Sequence, residues 1–561
     1  MTSDTGTARS RRENWIAALL CVVPLLPFVT RAVSIDAPVF INVAHQIVAH
    51  PLDPYGFQMI WDPTSPDVWT MNRNPPLMSY YLALWLALFG EVDTLLHAAM
   101  LPFSLLAGLC FLGISRRVAA EGVRPVALLV ATPAYLVLAT TLLLDVFTLA
   151  WILLAVYALL RGVDEDSAGW QLAAGAAAAA AGLAKYVGIS AAPLIAMGAL
   201  LLHPRPLRPL LRVLAPPVVV WLLWGAYTSQ LYGSVHFLGS TDVVSETGRF
   251  SPDEFWNHLL SAPVYYGCAL VFPILLWARG LLRGDLGTGL AVLGVLVGTV
   301  AMRYVIPEGE PPRRVPLGVE EATFGALGCA GAVFLWGMLL RPRRFRGDGI
   351  DRFLLLWLAG YGFFTLFVNW HVNAADALLA APPVILLVFR DADLRPSARA
   401  FAVWIGAMLP LSLALACADL LQANVYRSAA EKIAAEIGNR DGGRYFVGHW
   451  GLQHYLERRG FQSVVPPQYG RSDLVVGDWV ASARNISQLD VSQNMSEYQI
   501  ARTWSWEYDG WLPLRTNNAD AGAGFYSHHG GHVPFAWSDR PIDDVGLGRV
   551  TGIRKRPAGG R

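Results

Sequence analysis

"RSRRENWIAALLCVVPLLPFVTRAVSIDAPVFINVAHQIVAHPLDPYGFQMIW", residues Arg9–Trp61, decides the fold. Its first half is an apolar run behind a basic flank. A hydrocarbon core of about 30 Å needs roughly 20 such residues. A basic start and an apolar run also describe a secretory signal. No small-residue cleavage site follows, however, and many more apolar runs do, so a retained signal-anchor helix is expected. The second half, Ser34–Trp61, is neither apolar enough to span nor polar enough for a plain loop. It carries Asp36, Asp53, His45, His50 and three prolines.

Composition agrees with a membrane chain. Of 561 residues, 54% are hydrophobic and only 15% charged, with a mean hydropathy of +0.41, outside the range of soluble domains. A net charge of +1 gives no basic surface for nucleic acid. All five cysteines fall in apolar runs, which argues against a disulfide framework and leaves no CxxC-type metal pair.

Apolar runs near 14–33, 95–115, 124–142, 144–161, 168–184, 187–203, 210–230, 259–279, 286–303, 321–340, 352–369, 374–390 and 399–419 are read as membrane spans. With a cytoplasmic N-terminus, "SRRVAAEGVR", "HPRPLRPLLR", "WARGLLRGD", "LRPRRFRGDGIDR" and "FRDADLRPSARA" also face the cytoplasm, as the positive-inside rule expects. "YVIPEGEPPRRVP" is the odd loop, with Arg313 and Arg314 on the outer side.

The expected fold is therefore an all-α polytopic membrane bundle of about 13 transmembrane helices over residues 1–419. A small extracytoplasmic α/β domain over 420–561 follows it. There "RSAAEKIAAEIGN" has helical periodicity and a Gly-Asn stop, while "RYFVGHW" and "SDLVVGDWVAS" read as strands. Between the first span and Leu95, "PVFINVAHQIVAH" and "PPLMSYYLALWLALFG" fit helices lying in the membrane interface. Small residues in "QLAAGAAAAAAGLA" read as close helix packing.

Several ionisable or polar groups then converge at one membrane face: Asp36 beyond the first span, Asp145 opening the fourth, Lys185 and Tyr186 between the fifth and sixth, Arg303 ending the ninth, and "NWHVNAAD" with His371 before the twelfth. Charges at membrane depth are expensive, so they tend to be paired or functional. Each also has a plainer reading. Asp145 is placed as a helix-start acid, Lys185 as a snorkelling side chain, and Arg303 as a surface partner of Glu308 or Glu310. The i,i+5 spacing of His45 and His50 does not put both on one helical face. His449, His454, His528, His529 and His532 could bind a metal, but read more simply as surface histidines of the outer domain.

The order of motifs adds a resemblance. A first-loop Asp is followed by "NPPLMSYYLALWLALFGEVDTLLHAAMLPFSLLAGLCFLGISRRV", "LLLDVFTLAWILLAVYALLRG" and "GLAKYVGISAAPLIA". This resembles the GT-C glycosyltransferases that use polyprenyl-phosphate sugars: protein O-mannosyltransferases, lipid A aminoarabinose transferases and lipopolysaccharide-core transferases. The resemblance implies Asp36 as catalytic base, with Ala37 where the family often has a second acid. It implies Asp145 in the fourth-span motif and Lys185 against the lipid phosphate; on chemical grounds alone, Arg303 is a second cation for that phosphate. Asn74 stands where the family has the His of His-Pro-Pro, and "VNWHVNAADALLAAPPVILL" lacks the family's later Arg-Tyr.

The chemistry agrees. Polyprenyl phosphate leaves readily once cations offset its charge, and an acceptor hydroxyl needs a base. A single displacement inverts the anomeric centre. The expected partners are a polyprenyl-phosphate-linked sugar donor, an envelope acceptor and the lipid bilayer of the cytoplasmic membrane, with no nucleic acid. No cofactor or metal motif is present, and a divalent cation stays open. The rivals are a transporter or flippase of a lipid-linked substrate and an envelope sensor with an outer ligand-binding domain.

Overall fold

The structure, a computed structural model, describes residues 2–61, 65–239, 251–281, 319–340, 347–465, 473–486, 495 and 498–553. It divides the chain into two compact units that interleave in sequence. One comprises Met1–Val29, Ala98–Ala416 and Leu514–Trp537; the other comprises Thr30–His97, Cys417–Pro513 and Ser538–Arg561.

The first unit is mainly helical, with two short two-stranded ladders in Leu514–Trp537. Thr2–Val22 gives way to a 3-10 turn, Val23–Phe28, because Pro24 and Pro27 remove backbone donors from the α ladder. Leu101–Val118 packs against the first helix, and Ser104 Oγ donates to the Cys21 carbonyl at 2.8 Å. The expected span at 124–142 is two short helices, Arg124–Val130 and Pro133–Ala139. Thr132 caps the second by accepting from the Tyr135 N–H at 3.2 Å.

The alanine-rich helix Ala168–Ala184 lies against Leu144–Asp164 and Leu207–Tyr232. A side chain at Gly175 would meet the Val213 carbonyl at 2.5 Å, so the small residues do serve close packing. Pro252–Leu270 and Phe272–Leu281 are bent by 94° at Val271. Gly267 there approaches Gly328 so closely that a Cβ would lie 1.8 Å from its carbonyl oxygen.

Among the described residues, five helices are long and apolar enough to cross a membrane, or six if the bent pair counts as one span. The expected thirteen spans are thus met in part. Ala168–Ala184 and Ala374–Arg390 have 17 residues each. The expected 399–419 span is the start of a 40-residue helix, Ala398–Ile437. The expected span at 286–303 and the odd loop after it lie outside the described residues.

In the second unit, two amphipathic helices pack together, Ala37–Ala49 and Leu77–Phe89, each 13 residues and too short to span. The first ends at His50, before Pro51, and the second at Gly90. The five-stranded sheet contains β1 (Arg444–Val447), β2 (Gln462–Ser463), β3 (Trp479–Ala483), β4 (Tyr498–Tyr508) and β5 (Asp543–Ile553), in the order β2-β1-β3-β5-β4. β1 is parallel to β2 and β3; the β3–β5 and β5–β4 pairs are antiparallel. Val447, Val464, Leu474, Val480, Tyr498 and Val550 form its core. The strands expected in "RYFVGHW" and "SDLVVGDWVAS" are β1 and β3.

Candidate functional site

Asp36 stands at the start of Ala37–Ala49 and is exposed, and its side chain makes no capping bond to that helix. The backbone leading to it is tightly held within its unit. Arg31, 1% exposed, pairs with buried Asp419 and donates to Ser34 Oγ at 2.8 Å. The Ala32 N–H donates to Asn424 Oδ1 at 3.0 Å and the Val33 N–H to Tyr455 Oη at 2.8 Å. Tyr455 in turn donates to Asp93 at 2.5 Å, and Arg427 reaches the same carboxylate at 3.3 Å. Ile35 has φ +51°, a left-handed conformation that a β-branched residue avoids. Such strain of about 1–3 kcal/mol persists only where the surroundings enforce it, and it clusters at functional sites. The sequence signals neither that strain nor the buried clamp.

Asn74, also in this unit, is half-buried. Its carbonyl accepts from Tyr55 Oη at 2.8 Å and its N–H donates to Asn72 Oδ1 at 3.1 Å. Those are turn contacts of the backbone.

In the other unit, Lys185 ends the alanine-rich helix and Asp145 lies in the first turn of Leu144–Asp164. Lys185 Nζ donates to Asp145 Oδ1 at 2.8 Å. Asp145 is thus a helix-start acid, as its plainer reading has it, and is paired with Lys185 as well. Tyr186 Oη contacts buried His236, and the Trp224 indole N–H reaches the same oxygen at 3.4 Å.

"NWHVNAAD" is a capped helix start. Asn373 and Asp376 form a reciprocal capping box at the head of Ala374–Arg390, and the Asn369 amide donates to both Asp376 oxygens at 3.0 and 3.2 Å. The Asn373 amide lies 2.8 Å from His371 Nε2. Burial first, and the Lys185 ammonium in the same direction, holds the His371 ring well below the usual imidazole range. His371 thus presents a neutral imidazole. Arg303 lies outside the described residues.

The histidines expected on a domain surface are mostly not there. His449, His454 and His528 are 3%, 4% and 2% exposed. His528 belongs to the helical unit, where its N–H donates to the Val372 carbonyl at 2.9 Å and Tyr265 Oη bridges the Gly524 and Gly531 carbonyls at 2.6 and 2.7 Å. Glu254, His528 and His529 bring ligand-capable atoms within 4.8 Å of one another, and the His258 ring lies 5.0 Å from that of His528. The Val372 N–H donates into His528 Nδ1 at 3.0 Å, so the ring proton sits on Nε2, 3.7 Å from Glu254 Oε2. That arrangement suits a carboxylate facing imidazole N–H groups. To ligate a cation through Nε2, His528 has to surrender that proton first.

Residues 73–224 match the model of the dolichyl-phosphate-mannose-protein mannosyltransferase family. The GT-C resemblance holds. The matched stretch contains Asn74, Asp145, Lys185 and Tyr186; Asp36 and His371 lie outside it. No curated protein matches the chain in sequence. Among solved structures, ArnT from Cupriavidus metallidurans bound to undecaprenyl phosphate is 17% identical over 98% of this chain and 100% of that one, with a TM-score of 0.41. The Archaeoglobus fulgidus oligosaccharyltransferase in complex with Zn and sulfate is 15% identical over 89% and 72%, with a TM-score of 0.45. The mycobacterial arabinofuranosyltransferase AftD is 14% identical over 97% and 40%, with a TM-score of 0.42. Over residues 73–224 the chain thus resembles that family, and five of its described helices, or six, are long and apolar enough to cross a membrane.

Proposed function

We propose that this chain transfers a sugar from a polyprenyl-phosphate donor to a hydroxyl of an envelope lipid, glycan or protein, on the outer side of the cytoplasmic membrane, with inversion. Asp36 takes the acceptor proton in the transition state. Lys185 offsets charge on the departing phosphate, and Asp145 holds its ammonium in place. The C-terminal α/β region lies on that same outer side.

The observation that carries this reading is the placement of Asp36. An exposed carboxylate follows a strained Ile35, on a segment pinned by Arg31, Ala32 and Val33. Pre-positioning of that kind serves a group that must act at a defined point. The test is reconstitution of the full chain in lipid with a panel of polyprenyl-phosphate pentoses and hexoses. An inverted glycoside seen by NMR supports the reading, and no transfer from any donor overturns it.

One observation favours the transporter rival: the span broken at Val271, a device transporters use for substrate sites. The break itself, "ALVFP", carries no charged side chain. A flipping assay on the same proteoliposomes separates the two readings.

A further inference from the structure

The second unit contains an open cavity of about 630 Å³, within the ~300–1,000 Å³ typical of small-ligand sites. One wall is the Asp36 helix, which supplies Asn42, His45 and Gln46, a set one turn apart on a single face. Phe57, Gln58, Met59 and Ile60 form a second wall, and Glu457, Phe461, Gln462 and Ser463 a third. Asn42 lies six residues after Asp36, about 9 Å along the helix axis.

The lining has a definite polarity. The Gln46 amide nitrogen donates to the Asp53 carbonyl at 3.0 Å, and that of Gln58 to Asp67 Oδ1 at 3.0 Å. The Asn42 amide nitrogen is turned to the Met59 sulfur at 3.6 Å. Each of these amides has one N–H tied to an acceptor, which orients it and leaves its second N–H and its carbonyl oxygen for a ligand. Glu457 adds a carboxylate. The one basic group of the lining, His45, is 2.8 Å from Glu91 Oε2. Such a wall both donates and accepts hydrogen bonds, as sugar hydroxyls do, and the Glu457 carboxylate disfavours a phosphate or a carboxylate ligand. Phe57 and Phe461 supply apolar surface for C–H groups.

We infer that this cavity binds a neutral, hydroxyl-rich saccharide, and that the saccharide is the part of the acceptor that delivers its hydroxyl toward Asp36. The second half of that statement rests on the glycosyltransferase reading; the first does not.

The test separates the two. Full-length chain in nanodiscs, without donor, is titrated with neutral mannose, arabinose and galactose trisaccharides and with their phosphorylated counterparts, using saturation-transfer NMR. At least one neutral trisaccharide is expected to bind, the phosphorylated set at least tenfold more weakly. Gln58→Leu and Gln462→Leu, each with an unchanged melting temperature, are expected to weaken binding at least tenfold. In the transfer assay the same variants raise acceptor KM about tenfold against a kcat changed less than twofold. Absence of neutral saccharide binding, preference for the phosphorylated set, or indifference to both variants overturns the cavity assignment. Saccharide binding by a chain that transfers no sugar leaves the cavity standing and overturns the enzyme reading.

Discussion

Lys185 Nζ donates to Asp145 Oδ1 across 2.8 Å, joining the end of the alanine-rich helix to the first turn of Leu144–Asp164. The Asp145 side chain is 9% exposed and that of Lys185 31%. A phosphate meeting Lys185 therefore meets one end of a pair, with the ammonium already aimed. A charge-assisted contact is worth about 1.5–3 kcal/mol, so Lys185→Ala should raise donor KM by roughly 10- to 100-fold while acceptor KM moves little. Unchanged donor kinetics would confine Lys185 to holding Asp145.

The same pair predicts non-additive stability. Lys185→Ala leaves a nearly buried carboxylate without this cation, whereas Lys185→Ala with Asp145→Asn removes the charge as well. The double variant should melt above the Lys185→Ala single variant. Equal melting temperatures would show the pair to be electrostatically idle.

How much of this was legible follows from where each signal lives. Composition and period found part of the spans, the two amphipathic helices after Asp36, β1 and β3. They also found the Lys185 and Asp145 neighbourhood, because charges in apolar runs stand out. The span count was less legible, since prolines and short breaks turn runs such as 124–142 into paired half-helices without changing their hydropathy. His528 was misplaced, as a surface histidine of the outer domain. Its segment is tied to the helical unit by backbone carbonyls that accept from Tyr265 and by the Val372 exchange, and carbonyls leave no mark in a sequence. Ile35 was invisible because a backbone φ is not written in the residue type, and the Arg31–Asp419 pair beside it joins residues 388 apart.

The crossing of the bent pair with Val319–Leu339 should tolerate no side chain at its centre. A Cβ at Gly267 would lie 1.8 Å from the Gly328 carbonyl, which is backbone and cannot rotate away. Gly267→Ala should destabilise by about 1–3 kcal/mol, as overpacked cores do. A melting temperature in detergent equal to the parent's would mean the helices separate freely there.

Acid should weaken the second unit in two stages. Burial lowers His454 to about 4, so the ring stays neutral in the fold while the unfolded chain takes up a proton near the ordinary ~6.5. The unfolded state then binds more protons across that interval, and stability falls as pH drops from about 6.5 toward 4. Burial alone would raise Glu91, but the His45 hydrogen bond and the Arg458 charge hold it below its ordinary value. Its contribution is present above about pH 4.3 and is lost as pH falls through the folded value. His454→Gln should flatten the upper limb of a melting-temperature profile and Glu91→Gln the lower one. A profile unchanged by both substitutions would remove this cluster from the acid response.

Asp36 gives the decisive substitution, because its surroundings separate catalysis from folding. The carboxylate is exposed and makes no capping bond to its helix. Asp36→Asn keeps size and polarity but cannot take a proton, so glycosyl transfer should fall by about two to four orders of magnitude. Its melting temperature and donor binding should stay near the parent's. Arg31→Met is the contrast. Arg31 touches no reacting atom in this reading, yet removing it takes this cation from the buried Asp419 carboxylate, which costs about 3–5 kcal/mol. That variant should lose stability, and lose transfer only as the Ile35–Asp36 backbone relaxes. Asp53→Asn, in the "DPYG" turn of the same loop, should cost far less in rate. If Asp36→Asn turns over at the parent's rate while Arg31→Met behaves as stated, the segment is a structural hinge and the base lies elsewhere.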